Sequence, residues 1–237
     1  MKSTFCRVSE KSVEEGYNAV IGYQWSDQHH PEKFKAMLRR FSAEGFALPF
    51  FATAESHNTP RAAMRDGGVA YARYAWAMSN LIPAVPFLHG GFELGEKYPV
   101  NTGLDFTRED LAHYPSERLP LFSERAYDWL NPDAFPDWIR LVSKVRKQHQ
   151  ATIVDRSAGS FHWLEAGERL IAFIRGRGTK RLLVVANPDF HHAHHLTLPL
   201  PDHASPLADL FSGKEHHLAH GELHSLLHPG QVALFEL

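Results

Sequence analysis

Glu55, Ser56, His57, Asn58, Thr59 and Arg61 place a carboxylate, an imidazole, an amide and a guanidinium inside one short stretch, FFATAESHNTPRAA at 50–63. The stretch opens as a strand, because Leu48, Phe50 and Phe51 are apolar and Thr53 is β-branched. Pro60 cannot donate to a ladder and biases Thr59 to an extended backbone. A buried strand that empties into clustered polar groups is how a parallel barrel collects its site, at the carboxyl ends of its strands. A polar loop with one turn proline accounts for the same residues, and the pattern alone leaves both readings open. Arg61 has Glu55 as its nearest carboxylate in sequence.

The elements that must position this cluster repeat one pattern. Asn18–Tyr23 is a short apolar run that ends in Gln24, Trp25, Ser26 and Asp27. A helix is predicted over Pro31–Ala43, with Phe34, Met37, Leu38 and Phe41 at i, i+3, i+4 and i+7. The Leu48–Thr53 strand follows, then a second helix over Val69–Leu81 with Tyr71, Tyr74, Ala75 and Met78 on one stripe. A third run, Ala84–Leu88, empties into HGGFELGE at 89–96 and brings Glu93. Three such strand–helix alternations imply a parallel sheet with crossover helices. An irregular, proline- and aromatic-rich stretch covers 97–133, and a last helix is predicted over Phe135–His149. From about Gln150 the pattern changes to strands alone: 161–163, 170–175, 181–186, 195–200, 207–211, 224–227 and 232–237. The expected architecture is therefore an α/β part at 1–150, then an all-β antiparallel sandwich at 151–237 able to stand by itself.

With these residues in place, a resemblance can be stated. ESHNTPR at 55–61 resembles the last signature of the α-amylase family of glycoside hydrolases, and GFELG at 91–95 resembles the segment after that family's eighth barrel strand. The resemblance implies the last three strand–helix units of a (β/α)8 barrel, followed by the family's C-terminal β-domain. It puts the family's transition-state-stabilising aspartate on Asn58 and its substrate-binding histidine on His57. It makes Glu55, Arg61, Glu93 and Trp25 the accompanying substrate-site residues, with an α-glucan or maltooligosaccharide as ligand. The family's reaction is glycoside hydrolysis or glycosyl transfer by double displacement.

Two departures bear on activity. An amide at position 58 carries no charge to support an oxocarbenium-like transition state. A whole barrel takes about 250 residues by itself, and the family's nucleophile and acid/base glutamate follow strands that come before the three seen here. Retaining hydrolysis needs two carboxyl groups roughly 5 Å apart; Glu55 and Glu93 sit on neighbouring strand ends, but in the family's supporting positions. The chain is thus expected to be inactive alone, either as the C-terminal portion of an enzyme that pairs with the other part of the barrel, or as a non-catalytic binder of glucan or of a partner chain. A bare inner face on the parallel sheet is expected with it.

Composition narrows the remaining classes. The chain has 237 residues, 43% apolar and 22% charged, with a net charge of −2, so no basic field for nucleic acid exists. One cysteine excludes an internal disulfide, and the first sixteen residues carry three glutamates and lack an apolar export core, so a cytoplasmic setting is expected. No apolar run is long enough to span a membrane. Seventeen histidines, including HHAHH at 191–195 and His216-His217, invite a metal, but consecutive strand residues alternate faces and no acid or cysteine stands at ligand spacing beside them. Exposed polar turns, with no metal and no cofactor, are expected there.

Overall fold

The computed structural model describes residues 11–21, 28–114, 119, 126–200 and 206–237. Three parallel strands lie side by side: β1 (Val20–Ile21), β2 (Phe50–Ala52) and β3 (Val85–Pro86). Helix α1 (Pro31–Glu44) joins the first two and α2 (Gly68–Asn80) the second two. The strands are shorter than their apolar runs. Pro49 and Pro86 have no N–H to give the ladder, so pairing begins at Phe50, and β3 continues only through the Phe87 N–H to the Ala52 carbonyl at 2.8 Å.

Helix α1 buries Phe34, Leu38 and Phe41, one stripe at helical spacing. Helix α2 is different: Tyr71, Ala72, Tyr74, Ala75, Trp76, Ala77 and Met78 are all buried. A helix apolar on every side must be covered on every side. Its covers are the parallel sheet, the later helix α4, and the last strand of the chain. A short helix α3 (Arg108–His113), started by a Thr107–Asp110 capping box, interrupts the irregular stretch. The stretch is tied back by Asn131 Nδ2 donating to the Leu94 carbonyl and by Phe135 N–H donating to that of Glu93.

Helix α4 (Pro136–Gln148) and a single turn α5 (Gln150–Ile153) lead into antiparallel strands. β4 (Phe161–Leu164), β5 (Ile171–Arg177), β6 (Lys180–Ala186) and, at the far side, β12 (Val232–Glu236) form one sheet in the order β12-β6-β5-β4. β7 (His194–Pro199), β11 (Glu222–Leu227) and β10 (Leu218–Ala219) form another. β8 (Leu207–Ala208) pairs with β9 (Glu215–His216).

The four-stranded sheet is apolar on both faces. Phe173, Val184 and Leu234 join the core shared with α1, α2 and α4, while Ala172, Val185 and Phe235 face Leu196, Leu198 and Leu223 of the other sheet. That is why RLLVVA and VALF read as unbroken apolar runs rather than alternating ones. In a chain cut near 150, Phe161, Phe173, Val184 and Leu234 would lose the helical side of this core. The expected strand over 207–211 stops at Ala208. Asp209 is buried there, and its carboxylate accepts from the Phe211 and Leu234 N–H groups and the Ser212 hydroxyl, forcing a turn.

Two arginines, Arg146 half-buried and Arg175 fully buried, lock the joints. Arg146 of α4 donates to the carbonyls of Asn80, Ile82 and Ala84, fixing the passage from α2 into β3. Arg175 of β5 donates to Ser160, Ile153 and Asp155 carbonyls, fixing the passage from α5 into β4. Burial lowers both guanidinium pKa values to about 10, with Asp155 partly offsetting this at Arg175.

Candidate functional site

The polar cluster predicted at the end of β2 is built as a closed loop on a buried charge. Just past the strand, the Thr53 hydroxyl donates to the Glu55 carbonyl at 2.7 Å. Glu55 then turns inward, fully buried. Its Oε2 accepts the Ala62 N–H at 2.6 Å, so the carboxylate closes the loop on its far side. Its Oε1 pairs with Arg61 Nη2 at 3.1 Å, and Arg61 is equally buried. Inside the loop, Ser56 N–H donates to the Thr59 hydroxyl at 2.8 Å and that hydroxyl donates back to the Ser56 carbonyl at 3.2 Å. The tip, His57 and Asn58, is what remains toward solvent: His57 is exposed and Asn58 half-buried.

The neighbouring strand end joins in. Arg61 donates to the Gly90 carbonyl at 2.8 Å and its Nη1 meets His89 Nδ1. Arginine only donates, so this contact selects the tautomer with hydrogen on Nε2. His89 Nδ1 also lies 3.3 Å from Glu55 Oε1. Gly91 follows with φ +84, and a Cβ there would stand 2.8 Å from the Tyr127 ring and 2.9 Å from Arg61 Nη2. Glycine is required by both the backbone and the close approach.

A third segment closes on Asn58. Asn101 Nδ2 donates to Asn58 Oδ1 at 3.0 Å, and the Leu104 N–H donates to the Asn58 carbonyl at 2.7 Å. Gly103 lets the chains meet, since a Cβ there would be 3.0 Å from that carbonyl. Arg65 Nη2 to Asp105 Oδ2 at 3.2 Å adds an ion pair between the same two segments.

Of the residues singled out by sequence, Glu55, Arg61, His57 and Asn58 therefore share one loop. The first two face each other inside and the last two are presented at its tip. Glu93 lies in a separate 3₁₀ turn, Phe92–Leu94, with its Oε2 buried and without a hydrogen-bond partner among the described residues. Trp25 lies outside the described residues. Sequence reasoning gave no role to His89, Asn101 or Tyr127. For His89 the register is what was missing: continued past the strands, the pairing of Phe51 with Val85 and Ala52 with Pro86 brings it level with Glu55. Asn101 and Tyr127 reach the site from an irregular stretch, for which no periodicity exists to read.

The histidine cluster is tied up locally. Asp189 accepts the His191 and His192 N–H groups and the ring nitrogens of His192 and His194. Burial works to raise its pKa, but these hydrogen bonds, led by the His191 N–H, outweigh it and hold the carboxyl well below the usual range. Among the described residues no three His, Cys, Asp or Glu side chains converge to hold a metal ion. His216 departs from the exposed-turn expectation: alternation in β9 turns it inward, edge-on to Phe235 at 5.3 Å between centroids. A crevice of about 750 Å³ behind the loop is lined by His30, Lys35, Arg65, Asp105, Asp189 and His191 among others. Several of its charges pair with one another, as in Lys35–Glu32, Arg65–Asp105 and His191–Asp66.

Comparison with solved structures supplies the context for this geometry. An α-amylase from Anoxybacillus matches with a TM-score of 0.68 at 16% identity, over 98% of this chain and 49% of that one. The α-amylase of Geobacillus thermoleovorans, solved with acarbose, matches with a TM-score of 0.70 at 12% identity, over 97% and 50%. AmyP in complex with maltotriose matches with a TM-score of 0.65 at 13% identity, over 90% and 48%. The fold is that of the C-terminal part of an α-amylase. This α-amylase-like chain spans about half the length of the structures it matches. No family model and no curated protein sequence matches it. No helix among the described residues is long and apolar enough to cross a membrane.

Proposed function

We propose that this chain is the C-terminal portion of an α-amylase-like glycoside hydrolase or transglycosylase acting on α-glucans. In this reading β1–β3 are the last three strands of a (β/α)8 barrel, and the two facing antiparallel sheets are the C-terminal sandwich. The chain supplies a wall of the substrate groove and not the acid pair. The observation that carries the reading is the loop at 55–61. A buried Glu55–Arg61 pair, joined by His89, holds it, so His57 and Asn58 are presented at the strand end with little freedom left to lose on binding. The acarbose and maltotriose held by two of the similar structures name the ligand class.

The carboxylate of Glu55 is fully buried and committed to Arg61 and to the Ala62 N–H, away from any ligand. Hydrolysis therefore needs a nucleophile and a proton donor from outside the described residues. A second reading, a non-catalytic binder of glucan or of a partner chain, is favoured by Asn58, an uncharged amide committed to Asn101 where the resemblance puts a carboxylate.

Calorimetric titration with maltotriose tests the proposal. The chain binds, and His57→Ala weakens binding by about fivefold, the loss of one hydrogen bond worth about 1 kcal/mol. No reducing sugar is released. Absence of maltotriose binding, or hydrolysis by the purified chain that Glu93→Gln abolishes, overturns it. Asn58→Asp separates the two readings: supplied with the remaining barrel strands and their carboxylates, the enzyme portion gains activity, whereas a pure binder does not.

A further inference from the structure

His89 has two ring nitrogens, and the fold uses one of them. Nδ1 meets Arg61 Nη1 and accepts from it, because a guanidinium only donates. Arg61 is itself fixed by its ion pair with buried Glu55 and by donating to the Gly90 carbonyl. The hydrogen of the neutral ring therefore stands on Nε2, on the far side of the ring. Nε2 has no partner among the described residues and, unlike Arg61 Nε, is not buried; the side chain keeps 18% of its surface. Alternation gives its direction. Counting by twos from Val85 through Phe87, both exposed on the side of the parallel sheet away from its helices, leads to His89. The other clustered histidines differ. The rings of His191, His192 and His194 meet the carboxylates of Asp66 and Asp189 and tie turns. His89 meets a guanidinium, which leaves it a neutral ring with one N–H to give.

We infer that His89 is a further ligand-contacting residue, its Nε2–H donating to a hydroxyl oxygen of a glucan bound at the strand ends. The inference rests on the glucan reading above and adds a contact that it does not contain. The polarity of the rim selects this kind of ligand atom. Asn58 Oδ1 is occupied by Asn101, which leaves Asn58 its amide hydrogens, and the Glu55 carboxylate is occupied inside the loop. What faces outward from these groups is donors, so the ligand must supply acceptors, as sugar hydroxyl oxygens do. A donor whose tautomer is set by a buried ion pair behind it needs no reorientation when the ligand arrives.

Two substitutions separate the two nitrogens. His89→Asn puts an oxygen near the place of Nδ1 and nothing at that of Nε2. His89→Gln puts an amide nitrogen near the place of Nε2 and nothing at that of Nδ1. Calorimetric titration of the full chain with maltotriose should show about fivefold weaker binding for His89→Asn, the loss of one neutral hydrogen bond, with its thermal melt unchanged. His89→Gln should recover most of that affinity while melting lower, because Arg61 loses its acceptor. Nitrogen-15 spectra of the unsubstituted chain should show hydrogen on Nε2 and none on Nδ1, with the Nε2 resonance moving when maltotriose is added. The reverse ranking, weak binding by His89→Gln and native binding by His89→Asn, overturns the inference and leaves His89 a support for Arg61. So does hydrogen on Nδ1, or an Nε2 resonance that bound maltotriose does not move. That resonance decides by itself if His89→Asn fails to fold. No maltotriose binding by the unsubstituted chain removes the glucan reading and this contact together; binding that His89→Asn leaves intact removes this contact alone.

Discussion

The two sheets that sandwich α2 are built to different degrees of completion. In the four-stranded sheet, strands of four to seven residues bury apolar side chains on both faces, and Phe173, Val184 and Leu234 are inaccessible to solvent. In the parallel sheet, strands of two or three residues bury one face only, and Phe51, Val85 and Phe87 look outward. Both use the same residue types, so composition does not separate them. What separates them is whether the chain itself brings a second layer. The first sheet has one in β7, β10 and β11; the second has none among the described residues. The part that buries most apolar surface and the candidate ligand-binding part are therefore different parts.

The contrast is broken first at its strongest point. Phe173→Ala should cost about 3–5 kcal/mol in denaturant unfolding, as for other fully buried phenylalanines. Phe51→Ala, in the chain alone, should cost well under about 1 kcal/mol, because an exposed ring loses little burial. Equal costs would mean the parallel face is already covered.

The buried pair at the rim comes next. Glu55→Ala should destabilise by about 3 kcal/mol, since Arg61 is left charged and buried. Glu55→Leu with Arg61→Met should recover most of that loss, and the recovery measures how much of the pair serves geometry rather than stability. Maltotriose affinity should stay low in the double variant. Gly91→Ala should cost about 2 kcal/mol, from a positive φ and from collision with Tyr127 and Arg61.

The smallest effect belongs to pH. Burial, assisted by Lys214 and opposed by Asp209, lowers the pKa of His216 below its usual 6.5. The unfolded chain therefore binds this proton first. Stability is full above the unfolded value and falls as pH drops through the interval from there toward the lower folded value. Thermal melts at pH 7.5 and 5.5 should show the loss, and His216→Phe should reduce it. A melt insensitive to that substitution would place the pH dependence elsewhere.

The sequence made the larger plan visible. The spacing of Phe34, Leu38 and Phe41 gave α1, and the three apolar runs gave strands that do pair in parallel and in order. Pairing of Arg61 with Glu55 followed from their closeness in a loop with no other acid. The shared core was not legible, because a strand buried on both faces reads alike whatever covers it. Nor were Asn101 and Tyr127, which reach the site from irregular segments, Asn101 beside the Thr102 turn and Tyr127 beside the turns at Asp128 and Asn131, where no period exists to read. The two-residue strands β9 and β10 are too short for alternation to show, and the turn before β9, marked in sequence only by Gly213, is fixed by buried Asp209 through the distant Leu234 N–H.

Hydrogen exchange of the chain alone, with and without maltotriose, tests the central claim most directly. The amides of Phe173, Val184 and Leu234 should exchange only through global unfolding, and those of Phe51, Ala52 and Phe87 at least about a hundredfold faster. Maltotriose should slow Ser56–Ala63 and the 101–104 segment, and leave the antiparallel strands unchanged. Uniform protection across both sheets, with no response at Ser56–Ala63, would contradict the contrast between a doubly covered antiparallel sheet and a parallel sheet covered on one face.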